Sequence, residues 1–404
     1  MSDPKSNAAE PDIKTRIIHA GAEHGKRHSI VNTPVYHAST CLFDSFAAFR
    51  EAVSNPDHGL FYGRRGTPTQ WALEDALKDL EAGSGGVCLY PSGMSAISTA
   101  LMAYLEPGDQ LLMVDTVYEP VRSFCDKVLA RNNIETKYYP PSVGEGISDY
   151  VSTNTKAVFL ESPGSLTFEV QDIPAISKVA HDADAMTFAD STWGTPLSLP
   201  AHDLGIDINL HALTKYEVGH SDVMMGAASA TPKYFNRLQS FTRTVGICVS
   251  PDDAYLCLRG LKTMAMRLET QFENGLQVAN WLKAHPMVAH VYHPALPDDP
   301  GYALWQRDFT GGCGLFGFRL KHGSWQDLPH LVDDLRYFGM GFSWGGYESL
   351  ILPVMPETCR SATRWPKGAP VLRLHIGLES PSDLIDDLEG GLSRYDAALK
   401  TSPD

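Results

Sequence analysis

Lys215 stands directly after the apolar run INLHALT (208–214), with Tyr216, Gly219, His220, Ser221 and Asp222 close behind. Most lysines are solvated surface residues, but one that closes an apolar run is a candidate for burial. A buried amine with a lowered pKa is a Schiff-base nucleophile. Asp190 ends the run MTFAD (186–190) and is followed by Ser191, Thr192 and Trp193. A carboxylate flanked by hydroxyls at a strand's carboxyl end suits a buried cation or a protonated ring nitrogen. Ser92, Gly93 and Met94 join a strand-like run to a helix-like one. The first amides of a helix lack internal partners and sit at its positive end, and glycine lets backbone approach a phosphate closely. Taken singly, each stretch has a plainer reading: a surface lysine, a helix cap or loop hydrogen bond, and an ordinary turn.

Taken together they supply a phosphate cradle, a carboxylate and an amine. Pyridoxal phosphate needs that set: amides for its phosphate, an acid for its pyridinium and an amine for its aldehyde. Other clusters fall short. His285, His290 and His293 invite a metal reading, but Pro286 and Pro294 break any helical face, so a surface-loop role is expected. Cys313 after Gly311 and Gly312 reads as part of a turn before a strand, and no metal site is expected.

The elements that must position these groups follow from hydrophobic period and punctuation. Thr67 offers an N-cap, Pro68 the first helical position and Gln70 a capping box, with Leu73, Ala76, Leu77 and Leu80 at helical spacing and Gly83 as the stop. Strands are expected at 87–90, 110–115, 157–162, 186–190, 208–214 and 224–230, with helices at about 94–105, 120–131 and 174–181 between them. Such alternation implies an α/β fold with a mostly parallel sheet covered on both faces, its ligands beyond the carboxyl ends of the strands. Residues 252–284 read as one long helix with Leu256, Gly260, Met264, Leu268 and Phe272 on a stripe. Strands at 314–320 and 371–377 follow in a smaller α/β region. The expected division is an arm over 1–66, a large domain over 67–260 and a smaller domain over 261–404. The arm shows no periodic element, which suggests that it packs on another subunit, and its polar first dozen residues are expected to fray.

The chain's 404 residues bound the reading further. Its formal net charge of −15 argues against nucleic acid or an anionic membrane surface as partner. No run approaches the roughly 18 apolar residues of a membrane span. Seven cysteines at wide spacings, with no Cys-x-x-Cys, form neither a disulfide framework nor a zinc ribbon. A reducing, cytoplasmic setting is the expectation.

The sequence resembles the Cys/Met-metabolism family of pyridoxal-phosphate enzymes. The resemblance rests on FYGRRGTPT (61–69), YEPVRSFC (118–125), NTKAVFLESPG (154–164), ADSTW (189–193), LTKYEVGHSD (213–222), HPALP (293–297), RDFTG (307–311), FSWGGYESLI (342–351) and LRLHIGLE (372–379). It implies an aspartate-aminotransferase-like fold with a large, mostly parallel sheet domain and a smaller C-terminal α/β domain. By the same resemblance Lys215 is the Schiff-base lysine and general base, and Asp190 the pyridinium partner. Gly93, Met94 and Thr214 hold the phosphate, and Tyr118 stacks on the cofactor ring and helps move protons. Arg373 grips the substrate α-carboxylate, with Ser343 and Trp344 beside the substrate. Tyr62 and Arg64 reach the cofactor phosphate of a neighbouring subunit, which implies a homo-oligomer with shared sites, a tetramer built as a dimer of dimers.

The chain departs from the family pattern at Ala212, where many relatives carry a phosphate-binding serine, and at Ser191, where asparagine is usual. ESPGSL (161–166), Phe342 and Trp344 depart from the γ-branch. The implied activity is carbon–sulfur bond cleavage in an amino-acid thioether, cystathionine first, by β-elimination. A lyase for another cysteine thioether or for cystine, a γ-lyase, and a regulatory or binding protein on the same fold are the alternatives.

Overall fold

The computed structural model describes residues 11–26, 29–57, 59–366 and 368–401. The fraying expected of the first dozen residues lies outside them as far as residue 10. Seven strands build the first sheet: β1 (Gly86–Tyr90), β2 (Gln110–Val114), β3 (Glu135–Tyr139), β4 (Thr155–Glu161), β5 (Met186–Asp190), β6 (Ile208–His211) and β7 (Gly226–Ala230). Their order is β1-β7-β6-β5-β4-β2-β3. β2 to β6 run parallel, and β7 alone opposes its neighbours β6 and β1. Strands such as LLMV and VFL are buried throughout, as a sheet with helices on both faces requires.

Local chemistry sets the boundaries. The helix Pro68–Leu80 starts on the expected capping box: the Thr67 N–H donates to Gln70 Oε1 at 2.9 Å. The helix expected over 120–131 is irregular, widening in its middle and tightening at its end. Glu119–Phe124 is α-helical, Cys125–Leu129 forms a π-turn, and Ala130–Asn132 a 3₁₀ turn closed by Asn133 at φ +57°. β6 stops at His211 rather than running to 214, because the chain there turns and the Thr214 N–H bonds the Met225 carbonyl. The arm is not without pattern either. It contains the helices Ile13–His19 and Phe46–Ser54, the second with no buried residue.

A second sheet holds β8 (Val288–Tyr292), β9 (Leu315–Leu320), β10 (Gly339–Met340), β11 (Leu350–Val354) and β12 (Val371–His375), in the order β10-β11-β12-β9-β8. The helix Pro251–Ala284 ties the two sheets together. Met264 and Leu268 enter the core of the first, and Val278, Ala279 and Leu282 that of the second.

The histidine expectation needs correction. His293 is not in a surface loop: its ring is fully buried near Phe272 and Phe316, and burial lowers it to about 4. Among the described residues no group of His, Cys, Asp and Glu could hold a metal ion. Cys313 precedes β9 as expected and is fully buried, and burial pushes its thiol up to about 12.

Candidate active site

A cavity of about 940 Å³ opens where the carboxyl ends of β2, β4 and β5 and the turn after β6 face β12 and the segment 342–344. Lys215, Asp190, Arg373, Ser343, Trp344 and Tyr118 all line it, as do Gly93, Met94 and Thr214.

Ser343 joins the two cations. Lys215 Nζ donates to its hydroxyl at 2.7 Å, and Arg373 Nη2 donates to its carbonyl at 2.9 Å. Its backbone sits at φ +77°, a left-handed conformation that costs a non-glycine residue roughly 1–3 kcal/mol and is held only by its surroundings. Gly345, at φ +87°, lets the same segment cross Lys215: an added Cβ would lie 2.9 Å from the Lys215 carbonyl carbon. Burial, with repulsion from Arg373, lowers the Lys215 amine to about 8. The Trp344 ring centroid lies 5.1 Å from that amine. Arg373 comes from β12, between Leu352 and Gly317 of its neighbours. Burial lowers its guanidinium to about 10, still charged at neutral pH, and among the described residues it has no carboxylate partner. A buried cation so placed is matched to an anionic ligand.

Asp190 and Glu161 end adjacent parallel strands, opposite each other in register. Burial raises both, but the side chain and N–H of Thr192 donate to Asp190 Oδ1 and oppose the rise. Behind Asp190, burial would lower the His211 imidazole, yet Glu81, 2.8 Å away, outweighs it and the net direction is up. At Glu161 only the Tyr118 N–H opposes the rise, and burial and the Asp190 charge push it well above the ordinary carboxylate range. The pair is therefore unequal: both carboxyls are raised by burial, and Thr192 supports the charged form at Asp190 with both its N–H and its hydroxyl. Glu161 Oε2 accepts the Tyr118 N–H at 2.7 Å, which fixes the backbone beneath the Tyr118 ring.

The residues present fit pyridoxal phosphate. Gly93 and Met94 open the helix Gly93–Tyr104, capped by Ser92, so their amides have no acceptor one turn back. A Cβ on Gly93 would lie 2.7 Å from the Ala212 Cβ, so glycine keeps this turn open. Thr214 is less free: its hydroxyl donates to the Met225 carbonyl at 3.1 Å and accepts the Met225 N–H at 2.9 Å. To serve an anion it must turn its proton away from Met225.

Tyr62 and Arg64 do not line this cavity. Tyr62 is largely exposed, and Arg64 Nη1 donates to the Arg243 carbonyl at 2.6 Å. Three groups at the cavity were not singled out from sequence: Glu161, Asp115 and the wall Met355–Arg360. The rule that found Asp190, an acid at the carboxyl end of a strand, applies equally to Glu161 and to Asp115 after β2.

A family model described as Cys/Met metabolism PLP-dependent enzyme matches residues 14–393. The chain is 44% identical over 401 residues to a putative cystathionine β-lyase of Rhizobium johnstonii, covering 98% of this chain and 100% of that protein. It is 42% identical to the cystathionine β-lyase MetC of Escherichia coli K12, over 96% of this chain and 99% of that one. Among solved structures, cystathionine γ-synthase from Xanthomonas oryzae pv. oryzae in complex with cystathionine superposes with a TM-score of 0.89 at 32% identity, covering 97% of this chain and 100% of that one.

Proposed function

This chain belongs to the Cys/Met metabolism family of PLP-dependent enzymes, and from that premise we propose that it is a carbon–sulfur lyase that splits cystathionine by β-elimination, with uptake of one water, into homocysteine, pyruvate and ammonia. The observation that carries the reading is the chain of contacts from Lys215 through Ser343 to Arg373, facing the same cavity as Asp190.

Pyridoxal phosphate, once bound, supplies an electron sink that stabilises negative charge at the substrate Cα. Gly93, Met94 and Thr214 would hold its phosphate, Asp190 its ring nitrogen and Lys215 its aldehyde. Arg373 orients the substrate by its α-carboxylate, a planar fork for a planar anion. The Lys215 amine, lowered to about 8, is a base poised to take the Cα proton near neutral pH. Lys215 Nζ or the Tyr118 hydroxyl returns a proton to the departing sulfur. Phe342 and Trp344, which stand where γ-branch relatives carry other residues, support loss of the β-substituent.

Products test this directly. Purified holoenzyme should be yellow and release pyruvate from cystathionine. Release of mainly 2-oxobutanoate would overturn the β-direction, and neither product from fully loaded protein would overturn the lyase.

The same reading divides the chain into an arm (1–66), a cofactor domain (67–260) and a smaller domain (261–404), and makes it an oligomer with shared sites, a tetramer in the cytoplasm. Among the described residues no helix is long and apolar enough to cross a membrane. The arm supports assembly: Val31 and Leu42 are each 91% exposed and Phe46 74%, apolar surface that a second copy would cover. If Tyr62 and Arg64 complete a neighbour's site, Arg64→Ala should weaken cofactor retention. Mixing it with Lys215→Ala should then restore activity, since random subunit exchange leaves about a quarter of sites with neither defect. No recovery after confirmed exchange would show that the sites are not shared.

A further inference from the structure

The cavity is larger than an amino acid's backbone end requires. With the α-carboxylate at Arg373 and Cα beside Lys215, the sulfur substituent must lie against what remains, including the wall formed by Met355, Pro356, Thr358, Cys359 and Arg360. That wall belongs to the connection from β11 to β12, yet it is fastened to the first sheet. Asp115, fully buried at the end of β2, accepts the Ser361 N–H at 2.8 Å, the Thr363 N–H at 2.7 Å and the Thr363 hydroxyl at 2.7 Å. Arg122 closes the clamp, donating to Asp115 Oδ1 at 2.8 Å and to the Ser361 hydroxyl at 3.0 Å. A second tie holds the wall itself: Arg360 Nη2 donates to Glu169 at 2.6 Å, and its guanidinium lies 4.9 Å from the Trp365 ring centroid. Burial alone would raise Asp115, but the hydrogen bonds from Thr363 and the backbone of residues 361–363 bring its carboxyl down to about 2, so the clamp is charged throughout the working pH range.

We propose that Asp115 is a positioning residue for substrate selection: by pinning residues 361–363 to the sheet that carries Lys215, it holds the Met355–Arg360 wall at the distance that receives the sulfur substituent. This rests on the lyase reading above. Asp115 does not touch the reacting atoms, so its removal penalises substrates according to how far their sulfur substituent reaches.

The test compares two thioethers that give the same product, cystathionine and S-methylcysteine, on holoenzyme. Asp115→Asn leaves one acceptor oxygen and no charge for two N–H groups, two hydroxyls and a guanidinium. It should lower kcat/KM for cystathionine about 10- to 100-fold, mostly through KM, with S-methylcysteine changed by no more than about twofold. Thr363→Val removes one clamp hydroxyl from a partly exposed loop and should show the same pattern at smaller size, so it decides the matter if Asp115→Asn fails to fold. Limited trypsin digestion supplies a readout apart from activity: cleavage after Arg360 or Arg364 should quicken in both variants. An equal loss on both substrates, or unchanged cystathionine kinetics, would overturn the proposal. Wild-type holoenzyme that gives pyruvate from neither thioether would instead overturn the lyase reading, and the selection role with it.

Discussion

Lys215→Ala should lower pyruvate release by roughly four orders of magnitude or more, because one substitution removes both the amine that reacts with the cofactor aldehyde and the base for the Cα proton. Pyridoxal phosphate should still bind through the Gly93–Met94 turn and Asp190, so loss of activity with retained cofactor is the expected signature. A variant at near-normal rate would sink the assignment of Lys215. Stability supplies a second readout. In cofactor-free protein the Lys215 amine is lowered from 10.5 to about 8. Between those values the unfolded chain holds more protons than the folded one, so stability rises with pH across that window, and below it the buried charge is carried at full cost. The melting temperature of Lys215→Ala relative to wild type should therefore fall as pH rises from 8 towards 10.5. A constant difference in melting temperature across that range would show that the amine is not buried as described.

Arg373→Ala is the second large effect. Loss of a bidentate, charge-assisted pair with the substrate carboxylate in a closed pocket costs about 2–5 kcal/mol, or about 30- to several-thousand-fold in kcat/KM. Arg373→Lys should recover little of it, since an ammonium cannot reproduce the planar fork. Cofactor content should hardly change, because Arg373 reaches Ser343 rather than the Gly93 turn or Asp190. Steady-state kinetics beside an absorbance spectrum would check both parts. A full-rate Arg373→Ala would remove the carboxylate role and leave the rest standing.

Sequence reasoning reached this site unevenly, for physical reasons. Asp190 was legible because a polar group at the end of an apolar run marks a strand's carboxyl end without knowledge of the fold, whereas the run before Lys215 led only to the turn that follows β6. The cap at Thr67 and Gln70 was legible because its partners are three residues apart. β3 was not, since its residues are mostly half-exposed and show no alternation. His293 was misread: flanking prolines say loop, but the aromatic rings around it come from Phe272 and Phe316, which only the fold brings near. Ser343 was recognised from its block, whereas its left-handed backbone and its bridge from Lys215 to Arg373 depend on contacts across more than a hundred residues of chain. The clamp at Asp115 is more distant still, with bonding partners 246 and 248 positions along the chain. No local pattern encodes such a pair.

The helix Pro251–Ala284, about 50 Å long by its residue count, also bears on how the molecule comes apart. Its side chains belong to both hydrophobic cores, so neither sheet owns it. A fragment cut near residue 260 would leave the first core without Met264 and Leu268 and strip the second of the leading half of its brace. Neither piece would be a self-sufficient module, and melting of one core removes the ordered backbone on which the other is packed. Loosening of either core therefore loosens the other, and recombination that swaps one sheet for a relative's must carry the whole helix, and the faces it packs against, along with it.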